Sequence, residues 1–172
     1  MNDTFLPGNG FDTYEEQDRV LMGLSGSVRS GVAVRILQQQ GFAVAAAVVR
    51  LADTPEEHAA AEAAKALAKK LDVECLALNA EALAGQDVDA ARFAALLTAA
   101  DKLGIQYVAS GHYARMETDT QGVSHLFPPE SGAPDESSRL SALSPEVLAR
   151  LILPLGDFAP EDVAEMAEDF KL

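Results

Sequence analysis

The chain has 172 residues, 48% of them hydrophobic, and this length and composition suit a single globular domain with its own core. It carries 27 acidic and 13 basic residues, a formal net charge of −14, so its overall field opposes binding to a nucleic acid backbone. A single cysteine excludes an internal disulfide and a multi-cysteine zinc site, and no apolar run approaches the roughly 18 to 20 residues that span a bilayer.

Residues 1–18 form an acidic N-terminal extension without the basic and apolar regions of a signal peptide. We therefore expect a cytoplasmic protein that has no membrane association.

Residues 19–172 are predicted to form one domain. Its first element is RVLMGL (19–24), an apolar segment typical of a short strand. A helix follows over 27–40, with Gly41 at the position after its end.

The same alternation continues along the chain. FAVAAAVVRL (42–51) is apolar on both faces, as expected of a strand inside a parallel sheet. Thr54 and Glu57 predict a capping box, with Pro55 at the first helical position, for a helix that ends at Leu71. The later segments complete the pattern with a strand in VECLAL (73–78), a helix over 88–103 and a strand in QYVAS (106–110).

Strands and helices that alternate over 110 residues predict a doubly wound, Rossmann-like α/β domain with a parallel sheet and helices on both faces. The pattern then changes. Residues 114–140 contain a predicted hairpin, with Gly122 near its turn, and a loop rich in proline and serine. Two short helices are predicted to begin at Pro145, after the N-cap Ser144, and at Pro160.

The segment GLSGSVRSG (23–31) joins the first predicted strand to the first predicted helix. Doubly wound folds bind ligands beyond the carboxyl ends of their strands, often at this connection. Small residues let the backbone approach an anion, and the amides at a helix start attract negative charge. A tight connection that holds no ligand is equally consistent with this composition.

Three segments in order carry a family resemblance. They are VLMGLSGSVRSGVAVRILQQQGFAVAAAVVRL (20–51), RFAALLTAADKLGIQYVASGHYARME (92–117) and LSALSPEVLARLILPLGDFAPEDVAEMAEDFKL (140–172). They resemble the loop region, the KFGALL to GHYAR segment and the PLGD segment of the tRNA-specific 2-thiouridylases. These enzymes belong to the PP-loop ATP pyrophosphatase group. The resemblance implies the PP-loop, adenine nucleotide alpha hydrolase-like form of the fold from about residue 19 onwards.

In that family the loop amides and hydroxyls hold the phosphates of ATP, so the resemblance implies ATP or AMP as the possible ligand. Gly111 matches a position where the backbone approaches the nucleotide, and Val49 matches a residue that lines the adenine pocket. His112 has two open roles, facing the ligand or bracing its loop through a structural hydrogen bond. The matching loop positions are Ser25, Gly26, Ser27, Val28, Arg29 and Ser30.

The loop departs from the family pattern SGGVDSS. Ser27 replaces the second glycine, Gly31 replaces the final serine, and Arg29 replaces an aspartate that helps to organise magnesium and pyrophosphate in the family. A guanidinium reverses the charge and offers no oxygen to a cation, so we expect no metal. Arg29 either pairs directly with phosphate or sulfate or is a solvated side chain at a helix start, and we expect the second.

The family transfers sulfur through a cysteine just before its KFGALL helix, and the matching interval LAGQDVDAARF (83–93) contains none. Asp87 and Asp89 in this interval cannot replace a thiolate. The family's second cysteine is also missing. Cys75 lies in a predicted strand, where we expect a buried thiol that acts as a small hydrophobic side chain.

PDESSRL (134–140) matches the family's KDQSYFL only in part, because Pro134 and Glu136 replace the lysine and the glutamine. The family's C-terminal tRNA-binding portions would begin where this sequence ends. We therefore interpret the chain as a degenerate PP-loop domain without catalytic residues for sulfur transfer, serving as a non-catalytic binding or interaction protein.

Two alternatives stay open, an adenylating enzyme that binds ATP or AMP and a subunit of a split tRNA thiolation enzyme. We expect a protein partner or a homo-oligomer, and no tRNA binding by this chain alone.

Overall fold

The computed structural model describes residues 18–172, so the predicted acidic extension lies outside the described residues except for Asp18. The described part of the chain contains seven strands and five α-helices. In chain order they are β1 (Arg19–Gly23), α1 (Val28–Gln39), β2 (Ala43–Arg50), α2 (Pro55–Leu71), β3 (Cys75–Asn79), α3 (Val88–Leu103), β4 (Tyr107–Ala109), β5 (Arg115–Thr118), β6 (Ser124–Phe127), α4 (Pro145–Arg150), β7 (Leu151–Ile152) and α5 (Pro160–Asp169).

Five strands form one sheet in the order β3-β2-β1-β4-β7, and every neighbouring pair is parallel. β1 therefore lies at the centre, and the strand order reverses between β1 and β4. This arrangement confirms the predicted doubly wound α/β fold. The predicted hairpin also forms, since β5 and β6 pair antiparallel in a separate sheet and Gly122 has a φ of 83° beside their turn.

Helices cover both faces of the sheet because side chains alternate along each strand. Val20 and Met22 of β1 join one core cluster with α1, α2 and α5, and Leu21 joins the other with α3 and α4. All three side chains are fully buried. Among residues 18–172 no helix is both long enough and apolar enough to cross a membrane.

The predicted N-caps form at Thr54 and Ser144, and Ser27, predicted only as a helix start, also acts as an N-cap. The side chains of Ser27, Thr54 and Ser144 each accept a hydrogen bond from the backbone amide three residues later. The capping box at Thr54 is wrong in its second half, because the Glu57 carboxylate accepts from the amide of Leu51 at 2.8 Å rather than from Thr54. That bond ties the start of α2 to the end of β2.

Three short elements were not predicted. β7 has two residues, and the 3-10 helices Glu81–Leu83 and Ser137–Leu140 have three and four. Segments of this length are too short to show a hydrophobic period in the sequence.

Candidate functional site

A cavity of about 220 Å³ opens at the carboxyl ends of β1, β2 and β4, beside the reversal of strand order. This is where doubly wound sheets bind their ligands. Most of its buried lining residues are apolar and form its floor, and most of the partly or fully exposed ones are polar and form its mouth, where the exposed Ala60 also lies. The apolar lining consists of Gly23, Leu24, Ala47, Val48, Val49, Ala60, Phe93, Leu96 and Gly111, and the polar lining of Ser25, Ser27, Arg29, Ser30, Glu57, Asp89, Arg92, Ser110, His112 and Arg139.

The loop at one side of the cavity is fixed by its own serines. The hydroxyls of Ser25 and Ser27 are 2.7 Å apart, and the Ser27 hydroxyl accepts from the amide of Ser30. The buried Ser30 hydroxyl lies 2.9 Å and 2.8 Å from the carbonyl oxygens of Ser25 and Ser27. The Ser30 amide is taken by its bond to Ser27. The amides of Val28 and Arg29 at the start of α1 have no acceptor among the described residues, so this fixed turn presents two donors suited to an anion.

Seven of the nine residues predicted to contact a nucleotide line the cavity. Gly26 and Val28 do not line it. The side chain of Val28 is 45% exposed, and a Cβ on Gly26 would lie 2.6 Å from the Cβ of Ala63 in α2. Glycine at position 26 therefore lets the loop pack closely against α2. The seven are Ser25, Ser27, Arg29, Ser30, Val49, Gly111 and His112.

Arg29 is not the solvated side chain that we expected. Its guanidinium forms a two-point ion pair with the carboxylate of Glu136, with N–O distances of 3.2 Å and 3.4 Å. It also lies over the ring of Tyr113, 4.7 Å from the ring centroid. The side chain is only 35% exposed. The expectation was wrong because Glu136, distant in the sequence, supplies a partner for the charge.

Glu136 connects Arg29 to the rest of the cavity mouth. Its carboxylate, 14% exposed, also accepts from the amide of Tyr113 at 2.8 Å and from the guanidinium of Arg139 at 3.2 Å. Arg139 in turn contacts both carboxylate oxygens of Asp89, at 3.2 Å and 3.4 Å. Alternating charges thus link the loop, the Ser137–Leu140 turn and the start of α3.

His112 is held at both ring nitrogens. Its Nδ1 lies 2.7 Å from the hydroxyl of the buried Ser110, and its Nε2 lies 3.4 Å from a carboxylate oxygen of Asp89. The hydrogen bond from His112, supported by attraction to His112 and Arg139, holds the pKa of Asp89 below its usual range. These contacts hold the ring of His112 in place, and the ring also lines the cavity, so the structure is consistent with both roles.

The sequence analysis missed one side of the cavity. Asp89, Arg92, Phe93 and Leu96 line it from α3. Their spacing of three, four and seven residues puts them on one face of the helix, but the sequence alone does not show which face borders the cavity. No comparable signal identified Arg139. It lies in the 3-10 helix Ser137–Leu140, which is too short to show a periodic pattern and which borders the cavity only in the folded chain.

The histidines outside the cavity pair with nearby carboxylates on the surface. His58 contacts Asp53, and His125 contacts Asp119 at 2.9 Å. Within the described residues no three His, Cys, Asp or Glu side chains are arranged to hold a metal ion. A magnesium ion at the family position does not fit this loop, since Arg29 stands at the aspartate position and its guanidinium, paired with Glu136, offers no oxygen to a cation.

Cys75 does not line the cavity. It is the first residue of the edge strand β3 and pairs with Ala46, one residue before the cavity-lining Ala47 of β2. Its side chain packs partly buried against the core on the α2 side. Burial raises the pKa of the thiol, which disfavours the nucleophilic thiolate.

A parallel sheet with a serine-rich loop at its reversal point and a cavity beside it defines an α/β domain of the PP-loop type. The family model for the tRNA methyl transferase HUP domain matches residues 18–89 and 88–172, and the chain belongs to this family. The membership agrees with the resemblance to PP-loop tRNA thiouridylases.

Similar proteins support the same family. The chain is 32% identical to the tRNA-specific 2-thiouridylase MnmA of Pediococcus pentosaceus and 33% identical to that of Yersinia pestis. Each match covers 91% of the chain and 49% of the relative, so the chain spans about half the length of these relatives.

Solved structures agree on the fold. The U34-tRNA thiolase NcsA from Methanococcus maripaludis matches with a TM-score of 0.61 and 16% identity, over 90% of this chain and 57% of that one. The predicted subunit of tRNA methyltransferase from Methanocaldococcus jannaschii matches with a TM-score of 0.53 and 16% identity, over 88% and 76%.

Proposed function

We propose that this PP-loop domain is a binding module for an adenine nucleotide, AMP or ATP, and that it performs no sulfur transfer with a thiol of its own. The observation that carries the proposal is the cavity at the carboxyl ends of β1, β2 and β4. It combines an apolar floor, suited to a flat base, with a fixed helix start suited to a phosphate.

The placement of the ligand follows from this polarity. The base would pack among Val49, Phe93 and Leu96 at the floor of the cavity. The phosphate would lie at the first turn of α1, near the backbone of Gly111, where an added Cβ would be 3.6 Å from the Cα of Ser30.

Binding is proposed to be independent of magnesium. The loop carries the Arg29 guanidinium in place of a carboxylate, and this cation is already attracted to Glu136. A magnesium ion therefore has no carboxylate of the loop to bind.

The location of Cys75 supports the second half of the proposal. The thiol is not among the residues that line the cavity, and burial raises its pKa, which disfavours the thiolate. Any sulfur carrier that acts at the cavity must therefore come from outside these 172 residues.

Isothermal titration calorimetry with ATP, AMP and pyrophosphate, each with and without magnesium, tests the proposal. We expect AMP and ATP to bind with affinities that magnesium leaves unchanged. A matched pair of variants locates the site. Ala60→Phe fills the cavity mouth, and Ala59→Phe alters the next exposed residue of α2, outside the cavity lining. Only Ala60→Phe should weaken binding.

Absence of nucleotide binding by the unaltered protein would overturn the proposal. Equal effects of the two variants would place the ligand elsewhere. Release of pyrophosphate from ATP, or affinity that requires magnesium, would instead favour an adenylating enzyme.

A further inference from the structure

The face of α3 that borders the cavity changes character along its length. Leu96 lies at the floor, where a Cβ added to Gly23 of β1 would meet it at 2.9 Å. Asp89 lies near the start of the helix and pairs with Arg139 at the mouth. Arg92 is one turn from Leu96 towards the helix start, so its side chain borders the cavity between the apolar floor and the charged mouth.

The other charged side chains of the cavity wall have partners. Arg29 and Arg139 pair with Glu136 and Asp89, and Glu57 accepts from the amide of Leu51. Arg92 makes no hydrogen bond or ion pair within residues 18–172, although its side chain is half-buried in the cavity wall. Its five N–H donors are therefore available to a ligand.

We propose that Arg92 binds the phosphate of the nucleotide from the side opposite α1, and so makes the cavity select a phosphorylated ligand over a nucleoside. This inference rests on the proposed function. A guanidinium binds phosphate through two parallel hydrogen bonds, and a partly buried, unpaired cation gains more from an anion than a solvated one does. In this arrangement the start of α1 and Arg92 contact the phosphate from two sides, and the base lies deeper in the cavity, against its floor.

The selection has a direct reason in the balance of charge. The ion pairs at the mouth neutralise Arg29 and Arg139, so Arg92 is the cation of the cavity wall whose charge is not already matched by a carboxylate. A nucleoside leaves that cation partly desolvated and unpaired, whereas a nucleoside monophosphate neutralises it.

Calorimetry of the whole chain with AMP and with adenosine tests the inference, with Arg92→Gln, Arg92→Lys and the control Lys102→Gln. Lys102 is exposed near the far end of the same helix. We expect Arg92→Gln to weaken AMP binding roughly 10- to 100-fold, the strength of a hydrogen bond to a charged group. Adenosine binding should stay within about twofold, since adenosine carries no anion. Arg92→Lys should recover part of the AMP affinity, because it restores the charge without the two-point geometry.

The outcomes separate the two proposals. If the unaltered protein binds AMP and Arg92→Gln binds it equally well, the role of Arg92 is wrong while the nucleotide site stands. Equal losses for AMP and adenosine would mean that Arg92 only supports the structure, and would also overturn the inference. If the unaltered protein binds neither compound, both proposals fail.

Discussion

Arg29 and Glu136 are separated by 107 positions in the sequence and form an ion pair at the mouth of the cavity. Each residue replaces one of a different kind in the family motifs, an aspartate by Arg29 and a glutamine by Glu136. The two side chains pair in the structure, and a carboxylate at position 29 would instead face the partly buried Glu136 carboxylate. This loop cannot be returned to the family pattern by changing it alone.

Arg29→Asp is therefore expected to destabilise the protein by about 1 to 3 kcal/mol, since it removes the ion pair and sets two carboxylates against each other. Adding Glu136→Gln should recover much of that loss. The free energy of unfolding, measured by urea denaturation for both single variants and the double variant, gives the coupling between the two positions. Additive effects would show that the pair contributes nothing as a pair.

The turn between β7 and α5 is held close to the segment after β4. A Cβ on Gly156 would overlap the carbonyl oxygen of Ala114 and crowd the side chain of Arg115. The nearer of these two atoms is the backbone oxygen of Ala114, which cannot move aside as the end of a flexible side chain could. The turn can approach this closely only with glycine at position 156.

We expect Gly156→Ala to lower the free energy of unfolding by about 1 to 3 kcal/mol, as overpacking of a buried site does. The neighbouring Asp157 is exposed, so Asp157→Ala should change stability by less than about 0.5 kcal/mol. Thermal and urea unfolding of both variants measure the difference. Similar stability of the two variants would contradict the close contact at Gly156.

The sequence predicted the elements that have strong local signals. Thr54 and Ser144 carry the predicted capping side chains, and the helix over 88–103 has the predicted bounds. The predicted reciprocal bond of Glu57 did not form, since the chain after β2 offers it the closer amide of Leu51. Contacts of this kind depend on how elements pack, which local patterns do not encode.

The candidate site was predicted in part. Family resemblance identified the loop and the segment after β4 by their motifs. Both line the cavity, since each follows a strand that ends there. It did not identify the ion pair of Arg29, whose partner lies in a loop without a periodic pattern. Arg92 was missed although it lies on a predicted helix, because helix periodicity does not say which face borders a cavity.

The charge of the whole molecule bears on nucleic acid binding. With a net charge of −14, the isolated chain should bind tRNA no more tightly than roughly 10⁻⁶ to 10⁻⁴ M at physiological salt, the range of non-specific contact. Filter binding over a series of salt concentrations, with an unrelated RNA as the control, measures this. Tight and tRNA-selective binding by the 172 residues alone would contradict the expectation.

The central place of β1 in the sheet affects the order in which the chain can fold. β2 follows β1 closely, whereas β4, the partner on the other side, begins only at Tyr107. During synthesis β1 therefore keeps one unpaired edge until most of the chain has been made, and its side chains are fully buried only in the finished sheet. A nascent or shortened chain that ends before Tyr107 thus exposes an apolar strand edge, the feature that chaperones bind and from which aggregation begins.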